Sequence, residues 1–204
     1  MPRISTAKER LTDAALEMIW ENSYGATSVD AICERANVRK GSFYYFFKSK
    51  SELAAAALEA DWKKHQADLD AIFSPTVPPL ERFQRHFEHG YAFMTGIKEK
   101  YGAVLGCPVF TLGCEISTLD SVLRDKIQEL LNRKLAYLES AIRDAHARGE
   151  VDAPDAQSKA RAVLAFVEGS LSQARIENSL EPIRQLYAGT LALLGAKPLQ
   201  LTAV

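Results

Sequence analysis

Residues 27–53 read TSVDAICERANVRKGSFYYFFKSKSEL, and this stretch resolves into a short helix, a tight turn, a second short helix and the start of a long one. Thr27 opens the first helix, with Asp30 as the reciprocating acid of a capping box. Val29, Ile32, Cys33 and Ala36 then fall on one apolar face. Asn37 stands where the chain must turn, and asparagine tolerates a left-handed backbone better than most residues with a side chain. Val38 pins the turn to the core. The second helix is expected over about 39–46, with Phe43 and either Phe46 or Phe47 facing inward and Arg39, Lys40, Ser42, Tyr44 and Tyr45 facing out. Ser49 and Glu52 form a second capping box, so the long helix should begin near Lys50.

Two short helices about a turn present the second of them to the DNA major groove. The residue types suit that task. Lysine and arginine meet phosphates and supply affinity without sequence choice. Serine and tyrosine hydroxyls reach phosphates or base edges, and the free N–H groups of a helix start favour an anion. Thr27, Tyr45, Lys48 and Lys50 are therefore expected on the DNA backbone and Arg39, Lys40, Ser42 and Tyr44 nearer the bases, with Ser28 completing the contact set. Double-stranded DNA is the expected partner.

Working outward, helix one is expected from Ala7 to Asn22, capped by Thr6 and Glu9, with Leu11, Ala14, Ala15, Met18 and Ile19 as its apolar stripe. A long helix should run from Ser51 to Phe73 and stop at SPTVPP, 74–79. Another is expected over 80–95, where Leu80, Phe83, Phe87 and Tyr91 share a face. Glycines and Pro108 make 96–120 less regular, with room for a short helix at Val109–Ile116. A long amphipathic helix begins at Asp120 or Ser121, with Val122, Ile127, Leu130, Leu131, Leu135, Leu138 and Ile142 inward. ARGEVDAPD at 147–155 is a loop, helices over 156–178 and 181–194 close the chain at Gly195, and the tail KPLQLTAV has no evident role. The fold class is all-α: a three-helix head with a helix-turn-helix at 1–50, then a sensing and dimerisation body of bundled helices at 51–204. Leu164, Phe166, Val167, Leu171, Ile176, Leu186, Tyr187, Leu191 and Leu194 give the last two helices more apolar surface than a terminal hairpin needs, which suits either a homodimer face or the subunit core.

The formal charge of -1 looks unsuited to a nucleic-acid binder, but its distribution is informative. Residues 1–50 hold eight Lys and Arg against six Asp and Glu, and the remainder 17 against 20. The acids Glu9, Asp13, Glu17 and Glu21 line the first helix, while Arg39, Lys40, Lys48 and Lys50 gather by the turn. No apolar run is long enough to span a bilayer, and MPRISTAKERL lacks a signal-peptide core, so a cytoplasmic location and no membrane partner are expected. The chain has no GxSxG elbow, phosphate loop, HExxH or dinucleotide fingerprint, so no enzymatic activity and no cofactor are expected.

Thr27–Ser28, Ile32, Ala36–Asn37–Val38, Lys40–Gly41–Ser42–Phe43–Tyr44, Phe47, Lys50 and Leu53 resemble the DNA-binding domain of the tetracycline-repressor (TetR) family. The resemblance covers about the first 55 residues. It implies an all-helical dimeric regulator, usually a repressor of a palindromic operator released by a small-molecule effector. It also implies that the last two helices form a four-helix interface with a partner copy. Two departures bear on operator choice: Arg39 replaces the usual serine at the start of the recognition helix, and Phe46 stands where histidine is common. A ligand-responsive activator, or a helical dimer without regulatory activity, is the alternative.

The segment GCPVFTLGCEIS at 106–117 resembles that of an electrophile-responsive member of the family through Gly106–Cys107 and Glu115. The closing segment is similar too, from Gln173–Ala174–Arg175–Ile176 through Ser179–Leu180–Glu181–Pro182. That resemblance implies a sensor role for Cys107. A thiolate at a helix start would be stabilised; the plainer reading is a small buried hydrophobe beside a bend. Cys33 and Cys114 are expected in the core. Phe87, Tyr91, Phe110, Leu112, Tyr137 and Phe166 are candidates to line a pocket, with spacing that equally suits plain core. His86 and His89 lie three apart, but the sequence offers no convincing third ligand, so no metal is expected. His65 and His146 are expected on the surface.

Overall fold

The structure, a computed structural model, describes residues 6–196; the tail KPLQLTAV lies outside the described residues. All regular structure among them is helical: α1 (Ala7–Glu21), α2 (Val29–Arg35), α3 (Lys40–Phe46), α4 (Lys50–Ile72), α5 (Pro79–Tyr101), α6 (Pro108–Ile116), α7 (Ser121–Ala147), α8 (Ala156–Glu177), α9 (Glu181–Arg184) and α10 (Leu186–Leu193). By contact the chain divides into two units. One holds residues up to Ala67 with Cys107–Leu131, the other Asp68–Gly106 with residues from Asn132 onward. Residue 50, where the sequence pattern changes, is the first residue of an unbroken helix.

In the first unit, α1, α2 and α3 close on a core of Leu11, Ala15, Ile32, Phe43 and Leu53, all but inaccessible to solvent. Thr6 and Glu9 form the expected capping box: the threonine hydroxyl accepts the Glu9 N–H and the glutamate accepts the Thr6 N–H at 2.7 Å. At α2 the cap is Ser28, one residue later than expected, its hydroxyl accepting the Ala31 N–H at 3.1 Å. Thr27 is drawn inward instead, its hydroxyl donating to the Ser23 carbonyl at 2.7 Å. Asn37 takes the left-handed conformation the turn demands, at φ 51°. Phe47, the residue after α3, is buried, and Phe46 is half-buried. In α7 the inward position belongs to Leu123, not Val122: Leu123, Ile127 and Leu130 repeat at helical spacing, and Val122 is left exposed. α6 packs on α1 in this unit.

The second unit packs α5, the C-terminal part of α7 and α8–α10 around Phe83, Ile142, Val163 and Leu194. α5 runs to Tyr101, past the end expected near residue 95, and stops at Gly102, whose φ of 72° admits little but glycine. The closing helix expected over 181–194 is split at Gln185 into α9 and α10. Arg82, only 1% exposed, donates to Asp144 at 2.6 Å and to the Val77 carbonyl at 2.8 Å, so the SPTVPP break is tied to α5 and α7. On α8 and α10, Ile176 and Leu193 are exposed, while Leu186 and Leu194, the residue that follows α10, are buried.

Candidate nucleic-acid interface

α3 offers one outward face. Tyr45 is 82% exposed and Tyr44 59%, an unusual display for tyrosines on a small helix. Each leans edge-on against a ring beneath it, Tyr44 on Phe43 and Tyr45 on Phe46, with centroids 5.0 and 4.9 Å apart. The phenols are thereby held on a firm base with their hydroxyls outward. Arg39, Lys40 and Lys48 are exposed beside them and Ser42 is half-buried. Arg39 precedes α3 and makes no side-chain cap, so the first N–H groups of this helix are not covered by the residue before it. Lys40 is already engaged: its ammonium lies 2.7 Å from Asp30, and the hydrogen bond to that carboxylate holds its pKa above the ordinary lysine value.

Two residues expected on DNA are turned inward. Thr27 is 2% exposed and its hydroxyl is spent on backbone carbonyls. Lys50 donates to the carbonyls of Tyr24 and Thr27 at 2.8 and 2.9 Å, and burial pushes its pKa down. Sequence alone shows a lysine after a recognition helix; it does not show that the preceding loop folds its carbonyls around the ammonium.

The support of that loop escaped sequence reasoning. Glu115, on α6, accepts the N–H groups of Tyr24 and Gly25 at 3.0 and 2.7 Å. The Tyr24 hydroxyl meets Ser51 at 3.0 Å, and Ser51 in turn donates to Asp120. The Ser51 hydrogen bond holds the Asp120 carboxyl below its ordinary value, while burial pushes the Tyr24 phenol up. Asp120 also accepts the Leu123 N–H at 3.0 Å and so starts α7. A lone acid in the otherwise uncharged PVFTLGCEI was the available signal.

The body residues singled out from sequence separate. A cavity of about 150 Å³ in the second unit is lined by Phe87 and Tyr137 among others. Tyr91 lies in a shallow groove, where Arg184 donates to its hydroxyl at 2.8 Å. Phe110 and Leu112 are on α6 in the first unit, where Leu112 is buried near α1 and α4. Phe166 is committed to packing on α10: a Cβ added to Gly189 would fall 2.3 Å from its Cζ. His86 is among the residues lining the cavity, while His89 is exposed. Cys107 is buried at the start of α6, and Cys114, expected in the core, is exposed on the same helix. Cys33 is buried, and burial pushes its thiol up.

An all-helical chain with this head is a helix-turn-helix regulator in class. Residues 11–57 match the family model for bacterial regulatory proteins of the tetR family, and residues 79–189 that for the tetracyclin repressor-like C-terminal domain. The chain belongs to the TetR family of transcriptional regulators, whose members bind DNA and act as dimers. It is 32% identical to the transcriptional regulator AcuR of Cereibacter sphaeroides over 89% of this chain and 82% of that one. A regulatory protein TetR from Rhodobacter sphaeroides has the same fold, with a TM-score of 0.81 and 29% identity over 91% of this chain and 97% of that one. Similarity to the transcriptional repressor NemR of Escherichia coli is weaker, 23% over 89% of this chain and 90% of that one. Among the described residues no helix is long and apolar enough to cross a membrane.

Proposed function

We propose that this chain is a cytoplasmic homodimeric repressor that occupies a palindromic operator and is released by a small molecule held in its body. The observation that carries the DNA-binding part is the outward face of α3, where Tyr44 and Tyr45 stand exposed among Arg39, Lys40 and Lys48. Residues 1–50 act as the reading head and 51–204 as the sensing and dimerisation region. Ser28, Tyr45 and Lys48 meet phosphates, and Arg39, Lys40, Ser42 and Tyr44 approach base edges. Two heads on a two-fold axis read an imperfect palindrome. Release is a population shift, which requires the effector to bind the DNA-free arrangement more tightly.

The cavity lined by Phe87 and Tyr137 supports a bound effector. A covalent trigger at Cys107 is the second reading, favoured by its place at the start of α6 and by the likeness to NemR. Its burial weighs against it, and the exposed thiol is that of Cys114. If Cys107→Ser leaves thiol labelling and electrophile response unchanged, that reading fails. Retention of fragmented genomic DNA on the purified protein at moderate salt tests the main proposal: a sharp palindromic motif is expected. Smooth, salt-sensitive retention without a motif would overturn it.

A further inference from the structure

We infer that the cavity of the second unit takes a small neutral molecule with an apolar body the size of one ring and a single hydrogen-bond-donating head, and that Glu168 receives the head. This rests on reading the chain as a ligand-released regulator. A cavity of about 150 Å³ holds a benzene-sized body. Its walls suit one: Phe73, Phe87, Phe93, Leu138 and Leu171 make it largely apolar.

Two residues that line it each carry a buried polar atom without a hydrogen-bond partner. Glu168 is 1% exposed, and its Oε2 has no hydrogen-bond partner. The Nδ1 of His86 is likewise buried without a partner. Buried polar atoms are almost always satisfied, because leaving one bare forfeits its hydration. Both groups line the same cavity, which makes it a site with an unmet demand instead of a packing defect.

The charges select the ligand. Glu168 Oε1 lies 3.3 Å from the Lys134 ammonium, so the carboxylate arrives already countered. A carboxylate oxygen only accepts, so the group that meets Glu168 must donate, which rules out ketones, ethers and plain hydrocarbons as its partner. An anionic ligand would bring a second negative charge against Glu168. An ammonium would bring a second positive charge beside Lys134 and lose hydration in an apolar cavity. An alcohol, phenol or amide N–H adds no charge and meets the open oxygen.

The test uses the full-length protein and four single-ring probes: benzyl alcohol, toluene, benzoate and benzylamine. Binding is read by calorimetry and by the shift in melting temperature. Benzyl alcohol should bind at least about 10-fold more tightly than the other three. In Glu168→Gln the preference for the alcohol over toluene should fall by about the same factor. Gly90→Val supplies an independent check, because an added Cβ at Gly90 meets no atom within 4 Å and the new side chain fills cavity space from α5. That variant should lose all probe binding. Tighter binding of benzoate or benzylamine would overturn the inference and leave the regulator intact. Failure of all four probes on a protein that still selects an operator motif would show the open oxygen to be met by water alone, and would likewise overturn it. Probe binding with no operator motif would instead sink the regulator reading.

Discussion

The Lys50 ammonium lies 3.9 Å from the centroid of the Tyr24 ring while donating to the carbonyl of that same residue at 2.8 Å. A cation–π contact and charge-assisted hydrogen bonds thus fix the loop ahead of α2 from inside the head. Lys50→Met should lower stability by about 1–3 kcal/mol, read as a fall in melting temperature. Lys48→Ala should leave stability within about 0.5 kcal/mol. In titrations of operator binding against salt, Lys48→Ala should make the slope shallower by about one for each phosphate it no longer meets, and Lys50→Met should not. A shallower slope only in Lys50→Met, with a melting loss only in Lys48→Ala, would reverse the two roles.

Lys40 illustrates a restrained cation. Its ammonium is held by Asp30 on the exposed surface, so binding DNA with Lys40 means exchanging a carboxylate for an acceptor on a base edge. Asp30→Asn should remove the competitor and one repelling charge. Affinity should rise several-fold at low salt, and more on the specific duplex than on a scrambled one. The melting temperature should be unchanged. Fluorescence anisotropy against specific and scrambled duplexes measures both, and no rise on either duplex would mean that Lys40 does not reach DNA.

Gly189 is set by its neighbour. Phe166 occupies the space where a side chain would begin, so Gly189→Ala forces the ring aside and should cost about 1–3 kcal/mol. Phe166→Leu in the same chain should recover most of the loss. If α8 and α10 form the partner interface, sedimentation at falling concentration will show the single variant dissociating before the double one.

Burial, with Lys134 and His89 beside it, pushes the His86 pKa down to about 4 from an ordinary 6.5. The unfolded chain therefore takes up a proton at a pH where the folded chain still refuses it. The neutral imidazole's contribution is complete above about pH 6.5 and is lost as pH falls towards 4, by up to about 3 kcal/mol. Melting curves between those limits should show a steeper decline for the native chain than for His86→Leu. Parallel declines would place His86 in contact with water.

Much of this was legible from local pattern. The capping box of Thr6 and Glu9, the turn at Asn37 and the start of α4 all follow from residues within a few positions of one another. Errors of one residue arose where two neighbours compete. Thr27 and Ser28 can both cap, and the carbonyls of Met18 and Ser23 decide between them by taking the threonine hydroxyl. Val122 and Leu123 can both face inward, and packing chose the leucine. What could not be read are partners far apart in the chain. Glu115 reaches Tyr24 across 91 residues, and no periodicity announces it. The pocket candidates separated for the same reason: Phe87 and Tyr137 line the cavity, while spacing places Phe110, Leu112 and Phe166 on apolar faces without saying which cavity, if any, a face borders.

The segment SPTVPP has the composition of a hinge, yet Arg82 reaches back from α5 to the carbonyls of Pro75 and Val77 and forward to Asp144. A guanidinium sunk to 1% exposure makes this bend a knot and not a seam. For anyone wishing to splice a reporter into this protein or to nick it with a protease, the proline-rich stretch is the wrong place. The exposed Arg148–Gly149 corner is a better place to open the backbone.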